Sequence, residues 1–211
     1  KKLLMKLERF TIIDISFIAI IHIAGIIGIR SLPEFFLKTT FVAILIPLCL
    51  YLYRVNLKKK EWLTIFLVYI ITFFSEWIGV NYGWLFGSYS YGNSLGFKIG
   101  GVPLLIGLNW VLLALVSRQI SSKLLSNKWS VIFVSAILMV LIDVIIEPLS
   151  GNLDFWYWEM STIPFSNYRD WFLVAVLNQW LLSFVMTNNK MFFWSLGHVG
   201  VLVIFFTSFY I

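Results

Sequence analysis

Residues 131–149 read VIFVSAILMVLIDVIIEPL, and the fold turns on how that stretch is understood. The apolar run is long enough to cross roughly 30 Å of hydrocarbon as a helix, and its charges, Asp143 and Glu147, sit together towards one end. Comparable runs recur on either side, at roughly 11–29, 35–53, 62–80, 102–118, 169–187 and 192–210. The composition agrees: 60% of residues are apolar, 12% are charged and the mean hydropathy is +0.90. In soluble domains about a quarter of residues are charged. These features predict an all-α fold, a polytopic transmembrane helical bundle of about seven spans, with residues 1–211 forming one domain.

Charge orients the bundle. Lys1, Lys2, Lys6, Arg9, Arg54, Lys58, Lys59, Lys60, Arg118, Lys123, Lys128 and Lys190 fall on one side, against Arg30, Lys38, Lys98 and Arg169 on the other. An excess of Lys and Arg marks the cytoplasmic side, so the reading is an integral membrane protein with a cytoplasmic N-terminus. The formal net charge of +6 then reflects that rule and attraction to anionic membrane lipid. It does not point to nucleic acid, because the basic residues are divided among short loops. No feature specifies an oligomeric state.

Cys49 is the single cysteine and lies within an apolar run. It offers neither a disulfide framework nor a thiolate metal site, and a buried structural thiol is expected. The first apolar run is too long for a removed signal peptide, lacks a small-residue cleavage site, and contains Asp14 and His22. No internal repeat or linker is visible. His22 and His198 have no ligand spacing, so no metal is expected. No phosphate loop, nucleophile elbow or redox motif is present either, and no cofactor is called for. Asn109, Asn178 and Gln179 lie in apolar runs, where hydrogen bonding between helices is their ordinary role.

The outward loops are unlike the inward ones. Residues 81–101 read NYGWLFGSYSYGNSLGFKIGG and residues 150–168 read SGNLDFWYWEMSTIPFSNY. Tyr and Trp suit a membrane interface, where an apolar ring and a polar tip are both satisfied. A belt of that kind explains neither the glycines, which permit tight backbone and close approach, nor the crowding of both segments on one side. A lid or ligand-binding rim accounts for the whole set.

Seven of the ten acidic residues also lie on this side. Glu76 stands near the outward end of the third span, in FFSEWIGV. Asp143 and Glu147 are four residues apart, which puts both on one helix face. Asp170 opens the sixth span beside Arg169. Ionisable groups within spans are expensive; they usually face the bundle interior and carry function. Glu147, before Pro148, could instead reach water at a helix end, and Asp170 could serve as a first-turn acid favoured by the helix dipole. Converging on one cavity, the four acids would supply a neutral carboxylic acid in an apolar pocket, which protonation of a carbon–carbon double bond requires.

These residues resemble a known family. Glu76-Trp77-Ile78-Gly79, the run Phe86-Gly87-Ser88-Tyr89-Ser90-Tyr91, Gly101-Val102-Pro103 and Asn109-Trp110 are similar to the first signature of the integral-membrane carotenoid biosynthesis proteins. That family includes bisanhydrobacterioruberin and gamma-carotene hydratases. Asp143 through Pro148, Trp156-Tyr157-Trp158 and Ile163 through Tyr168 resemble its later signatures, so the likeness covers roughly residues 70–180. One departure is Glu147, where the family pattern carries Asp.

The resemblance implies a cofactor-independent hydratase that adds water to the terminal double bond of an acyclic carotenoid or related isoprenoid. A carboxylic acid protonates the less substituted carbon, aromatic faces stabilise the tertiary cation by about 2 kcal/mol, and a carboxylate activates the attacking water. Asp143 or Glu76 is expected as the acid and Glu147 or Asp170 as the base. Trp77, Tyr89, Tyr91, Trp156, Trp158, Asn167 and Arg169 are expected to contact substrate. Two alternatives share the sequence features: a carotenoid cyclase that quenches the cation with the chain's own alkene, and a small membrane carrier or lipid-binding protein without chemistry. Against the carrier, the sequence shows no inverted repeat and no paired broken helices of the transporter kind.

Overall fold

A computed structural model describes residues 2–160, 162–185 and 190–211, with residues 2–8 described by their backbone alone. The side chains of Lys1, Lys2 and Lys6, and the inner end of the expected sixth span at 186–187, lie outside the described residues. The helices are α1 (Lys2–Ser31), a single turn α2 (Pro33–Phe36), α3 (Thr40–Arg54), α4 (Lys59–Tyr82), α5 (Leu104–Leu124), α6 (Lys128–Ile146), α7 (Phe165–Leu182) and α8 (Phe192–Thr207). A 3-10 turn, Leu37–Thr39, joins α2 to α3, so Pro33–Arg54 forms one apolar span. Among the described residues, six segments are long and apolar enough to cross a membrane: Arg9–Ser31, Pro33–Arg54, Lys59–Tyr82, Leu104–Leu124, Lys128–Leu149 and Phe192–Tyr210. Helix α7 is the seventh member of the bundle and its most polar.

Local chemistry sets the ends of these helices. The Glu61 carboxylate accepts the Lys58 backbone N–H at the start of α4 (2.6 Å), and Gly83 ends the helix in the left-handed region at φ 65°. Asn127 caps α6 by accepting from the backbone N–H groups of Trp129 and Ser130. Pro148 cannot continue a helix, so α6 gives way to a 3-10 turn over Glu147–Leu149. Pro164 stands immediately before α7.

Helix α5 is the axis of the bundle. It packs against α3, α4, α6, α7 and α8, and 83% of its membrane-length window is buried, with Ser117, Arg118, Gln119 and Ser121 buried along with its apolar residues. The polar groups of α7 are satisfied inside the bundle. Asn178 donates to Thr72 Oγ1 on α4 (3.0 Å) and Gln179 donates to the Ala114 carbonyl on α5 (2.9 Å). At the end opposite the loops, Asp14 of α1 accepts both guanidinium N–H groups of Arg54 (2.8 and 2.6 Å) and the indole N–H of Trp194 (3.2 Å). That network accounts for the one acid of the first span. The outer surface is apolar, with Ile20, Phe66, Leu141 and Ile204 exposed. Cys49 faces outward as well. This corrects the expectation of a buried thiol: the helix turns that position away from the core and towards lipid.

The two aromatic loops are not independent. Strand β1 (Tyr89–Tyr91) pairs antiparallel with β4 (Trp156–Trp158), in the register Tyr89–Trp158, Ser90–Tyr157 and Tyr91–Trp156. A second pair, β2 (Lys98–Ile99) with β3 (Val102–Pro103), turns back through Gly100 and Gly101. Asp154 clasps the loops together, accepting from the Asn93 backbone N–H (2.9 Å), the Ser94 hydroxyl (3.2 Å) and the Tyr157 hydroxyl (2.9 Å). The all-α bundle thus carries a small two-stranded cap over one end.

Candidate functional site

Beneath the β1–β4 ribbon, each of two buried carboxyl groups receives several hydrogen bonds. Glu76 sits two-thirds of the way along α4 and is 3% exposed. Its Oε2 accepts from the hydroxyls of Tyr89 and Tyr91 (2.5 and 2.7 Å), and its Oε1 accepts from the Trp110 indole on α5 (3.0 Å). Glu147, at the end of α6, is equally buried. Its Oε2 accepts from the indoles of Trp156 and Trp158 (3.1 and 2.8 Å), and its Oε1 from the Asn167 amide (2.6 Å). Successive strand residues point to opposite faces, so Tyr89 and Tyr91 share one face of the ribbon and Trp156 and Trp158 share theirs. That alternation aims four polar hydrogens down at the bundle.

Asn167, in the first turn of α7, links the second acid of α6 to the site. Its Nδ2 also donates to Asp143 Oδ2 (3.2 Å). One amide nitrogen therefore touches both carboxyl groups that the four-residue spacing places on one face. Asp143 Oδ1 is buried without a hydrogen-bond partner among the described residues. Tyr89 and Tyr91 lie outside the helical spans. Their phenols are pushed well above the ordinary value, first by burial and then by the charge of Glu76. They therefore remain hydrogen-bond donors across the physiological range.

Glu76, Glu147, Tyr89, Tyr91, Trp156, Trp158 and Asn167 surround a cavity of about 10 Å³, together with Phe86, Ile106 and Trp171. That is about the volume that a single water needs, and water also needs polar partners, which the carboxylates offer. Aromatic faces close the rest of the chamber. Tyr89 and Trp158 lie 5.2 Å apart between ring centres, and Trp110 stacks on Trp171 at 3.6 Å.

Three residues singled out in the sequence lie elsewhere. Asp170 is buried but turned to the loop backbone: its Oδ2 accepts the Phe86 N–H (2.9 Å), and its carboxylate takes two bonds from Arg169. Phe86 has φ 66°, in the left-handed region that costs a non-glycine residue about 1–2 kcal/mol. Helix α7 holds it from both sides, because the Ser166 hydroxyl donates to its carbonyl (3.1 Å). Arg169 is more than half exposed. Trp77 packs beneath the β2–β3 turn, against Gly100 and Tyr82.

Sequence reasoning missed Trp110, Trp171 and Phe86 as parts of the site. Trp110 was legible in part, since an indole N–H in the middle of an apolar helix needs an acceptor.

Fold and site together define a polytopic helical membrane protein with a water-sized, aromatic-walled chamber between buried carboxyl groups. The chain belongs to the carotenoid biosynthesis protein family, whose model matches residues 36–211, a stretch that contains every residue of the chamber. The chain is 30% identical over 156 residues to bisanhydrobacterioruberin hydratase of Haloarcula japonica. That match covers 69% of this chain and 53% of the relative, so the chain spans about half the length of the curated relative it matches. No solved structure matches the chain.

Proposed function

We propose that this protein is a carotenoid-modifying enzyme that hydrates the terminal double bond of an acyclic carotenoid end group. The observation that carries the reading is the placement of Glu76 and Glu147 on one water-sized chamber walled by aromatic rings. The family and the hydratase named above support it.

Asp143 and Glu147 act as one proton-holding pair, because two carboxylates around a single amide nitrogen repel each other unless a proton lies between them. Glu147, which lines the chamber, delivers that proton to the less substituted alkene carbon. The π bond breaks, a C–H bond forms, and the adjacent carbon becomes a tertiary cation. The rings of Tyr89, Trp156 and Trp158 face it, a desolvated cation–π contact being worth about 2 kcal/mol. Glu76 stays a carboxylate under its three donors and takes a proton from the attacking water as the C–O bond forms. Water adds across the double bond, and the proton on Glu76 returns to the Asp143–Glu147 pair before the next turnover. No electrons are exchanged, so the sequence of steps calls for no redox partner. On this reading Asp170 and Arg169 hold the cap rather than the substrate, and the N-terminus lies in the cytoplasm.

Expression in a host that accumulates acyclic carotenoids, with mass analysis of the extracted pigment, tests this directly. Gain of one water by the pigment, lost in Glu76→Gln and in Glu147→Gln, is the expected result. A ring-closed product of unchanged mass would make the protein a cyclase, and unaltered pigment would remove the enzyme reading.

A further inference from the structure

A second and larger cavity, of about 270 Å³, lies within the bundle between α1, α3, α5, α6 and α8. Its volume approaches the lower end of small-molecule pockets, about 300 Å³. Its walls are aliphatic and aromatic, with Leu112, Leu202 and Phe205 among them. It reaches from Phe155 and Trp156 under the cap to His22, two-thirds of the way along α1, and His198, in the first half of α8. Ile106 and Trp156 line both this cavity and the carboxylate chamber, so the two spaces share a wall.

The deep end is where the chemistry is specific. His198 is 1% exposed, and neither of its ring nitrogens has a hydrogen-bond partner among the described residues. A buried polar group left unmatched costs free energy, and natural structures rarely keep one without a use. His22 Nδ1 lies 2.8 Å from the Ile18 carbonyl and donates to it, which leaves Nε2 as the acceptor of that ring. Asn109 adds a side-chain amide to the same lining.

That donor set limits the ligand. Among the described residues no Lys, Arg, Asp or Glu lines the cavity, so it offers no opposite charge to a phosphate, a carboxylate or an ammonium group. Among the described residues no group of three side chains could hold a metal ion. A pure hydrocarbon would leave His198 as it is. A neutral imidazole has one donor and one acceptor, and a hydroxyl group can both donate and accept, so it can match either ring nitrogen.

We propose that this cavity binds a single isoprenoid chain ending in a hydroxyl group, with His198 holding the hydroxyl. This rests on the reading above in one respect: the product of the proposed hydration is such an alcohol, formed one side chain away across Ile106 and Trp156. The site is where the finished end group, no longer a hydrocarbon, finds a polar partner inside the bundle.

Equilibrium binding to the purified protein in lipid nanodiscs provides the test, with linalool, a tertiary isoprenoid alcohol, and myrcene, the hydrocarbon that differs from it by one water. The wild type is expected to bind linalool about tenfold more tightly than myrcene. His198→Leu should erase the preference while keeping myrcene binding, and Ala43→Phe, at a small residue of the cavity wall, should weaken both. Equal binding of the two probes by the wild type overturns the proposal. So does a preference that survives His198→Leu, or binding untouched by Ala43→Phe; the wild-type and Ala43→Phe comparisons stand even if His198→Leu does not fold. Glu76→Gln separates the two readings. It should abolish hydration and leave the linalool preference intact: hydration that persists would overturn the proposed function, and a lost preference would overturn the cavity proposal.

Discussion

Tyr89 and Trp158 face each other across the β1–β4 pair, yet they donate to different acids: Tyr89 to Glu76 on α4 and Trp158 to Glu147 in the turn that ends α6. A ribbon of three residues per strand therefore fixes the distance between two carboxyl groups that belong to separate helices. The chamber between them is a product of that pairing.

The donors to Glu76 should matter more to catalysis than to folding. Tyr89→Phe keeps the ring and removes one hydrogen bond to a charged acceptor, worth about 1.5–3 kcal/mol. Hydrated pigment formed per unit of protein should fall by about 10- to 100-fold, with the protein still recovered from the membrane. Tyr89→Phe/Tyr91→Phe should fall further, and an unchanged yield in the double variant would mean that Glu76 is not the base.

Asn167→Leu should lower stability. It leaves Asp143 and Glu147 adjacent, buried and without their shared donor, and a buried acceptor left unsatisfied costs about 1–3 kcal/mol. The thermal midpoint in detergent should drop clearly, whereas Asn167→Gln, which keeps an amide, should lose less. The order of the two midpoints is the measurement that decides.

Asp170 should behave as a tie rather than a reactive group. Asp170→Ala frees the Phe86 N–H and the strained turn it holds, so limited proteolysis within residues 83–101 should accelerate. Asp170→Asn keeps an acceptor oxygen and should protect that segment and retain most of the hydration activity. Complete loss of activity in the Asn variant, with normal protease resistance, would return Asp170 to the chemistry.

Gly79 lets the ribbon come down onto α4. A Cβ there would lie 2.9 Å from the Tyr89 hydroxyl and 3.0 Å from the Leu85 carbonyl. Gly79→Ala should therefore push Tyr89 away from Glu76 and reduce hydration. Overpacking of this kind costs about 1–3 kcal/mol, and the loss of activity should exceed that of Tyr89→Phe because Tyr91 moves with its neighbour.

The bundle was legible because hydrocarbon thickness demands apolar runs of about 20 residues, and those runs stand out between charged loops. The acids were legible for the complementary reason, that a carboxyl inside such a run is costly. Asp143, Glu147 and Asn167 do meet around a single nitrogen, as a helix face and a neighbouring helix start allow. The β1–β4 pair was not readable. Its strands are three residues long and separated by residues 92–155, and no local periodicity specifies so distant a pairing. Asp170 misled because a buried acid looks the same in sequence whether it faces a ligand or a backbone N–H. Cys49 misled for a related reason: in a membrane both faces of a helix are apolar, so hydropathy does not say which one points inward.

The shared ribbon makes access and reactivity an interlock. Lifting the cap to admit a molecule would withdraw two phenols from Glu76 and two indoles from Glu147 in one movement. On the proposed mechanism, an open protein would hold its acids in the wrong electrostatic setting for either proton transfer, and the cation would arise only after closing.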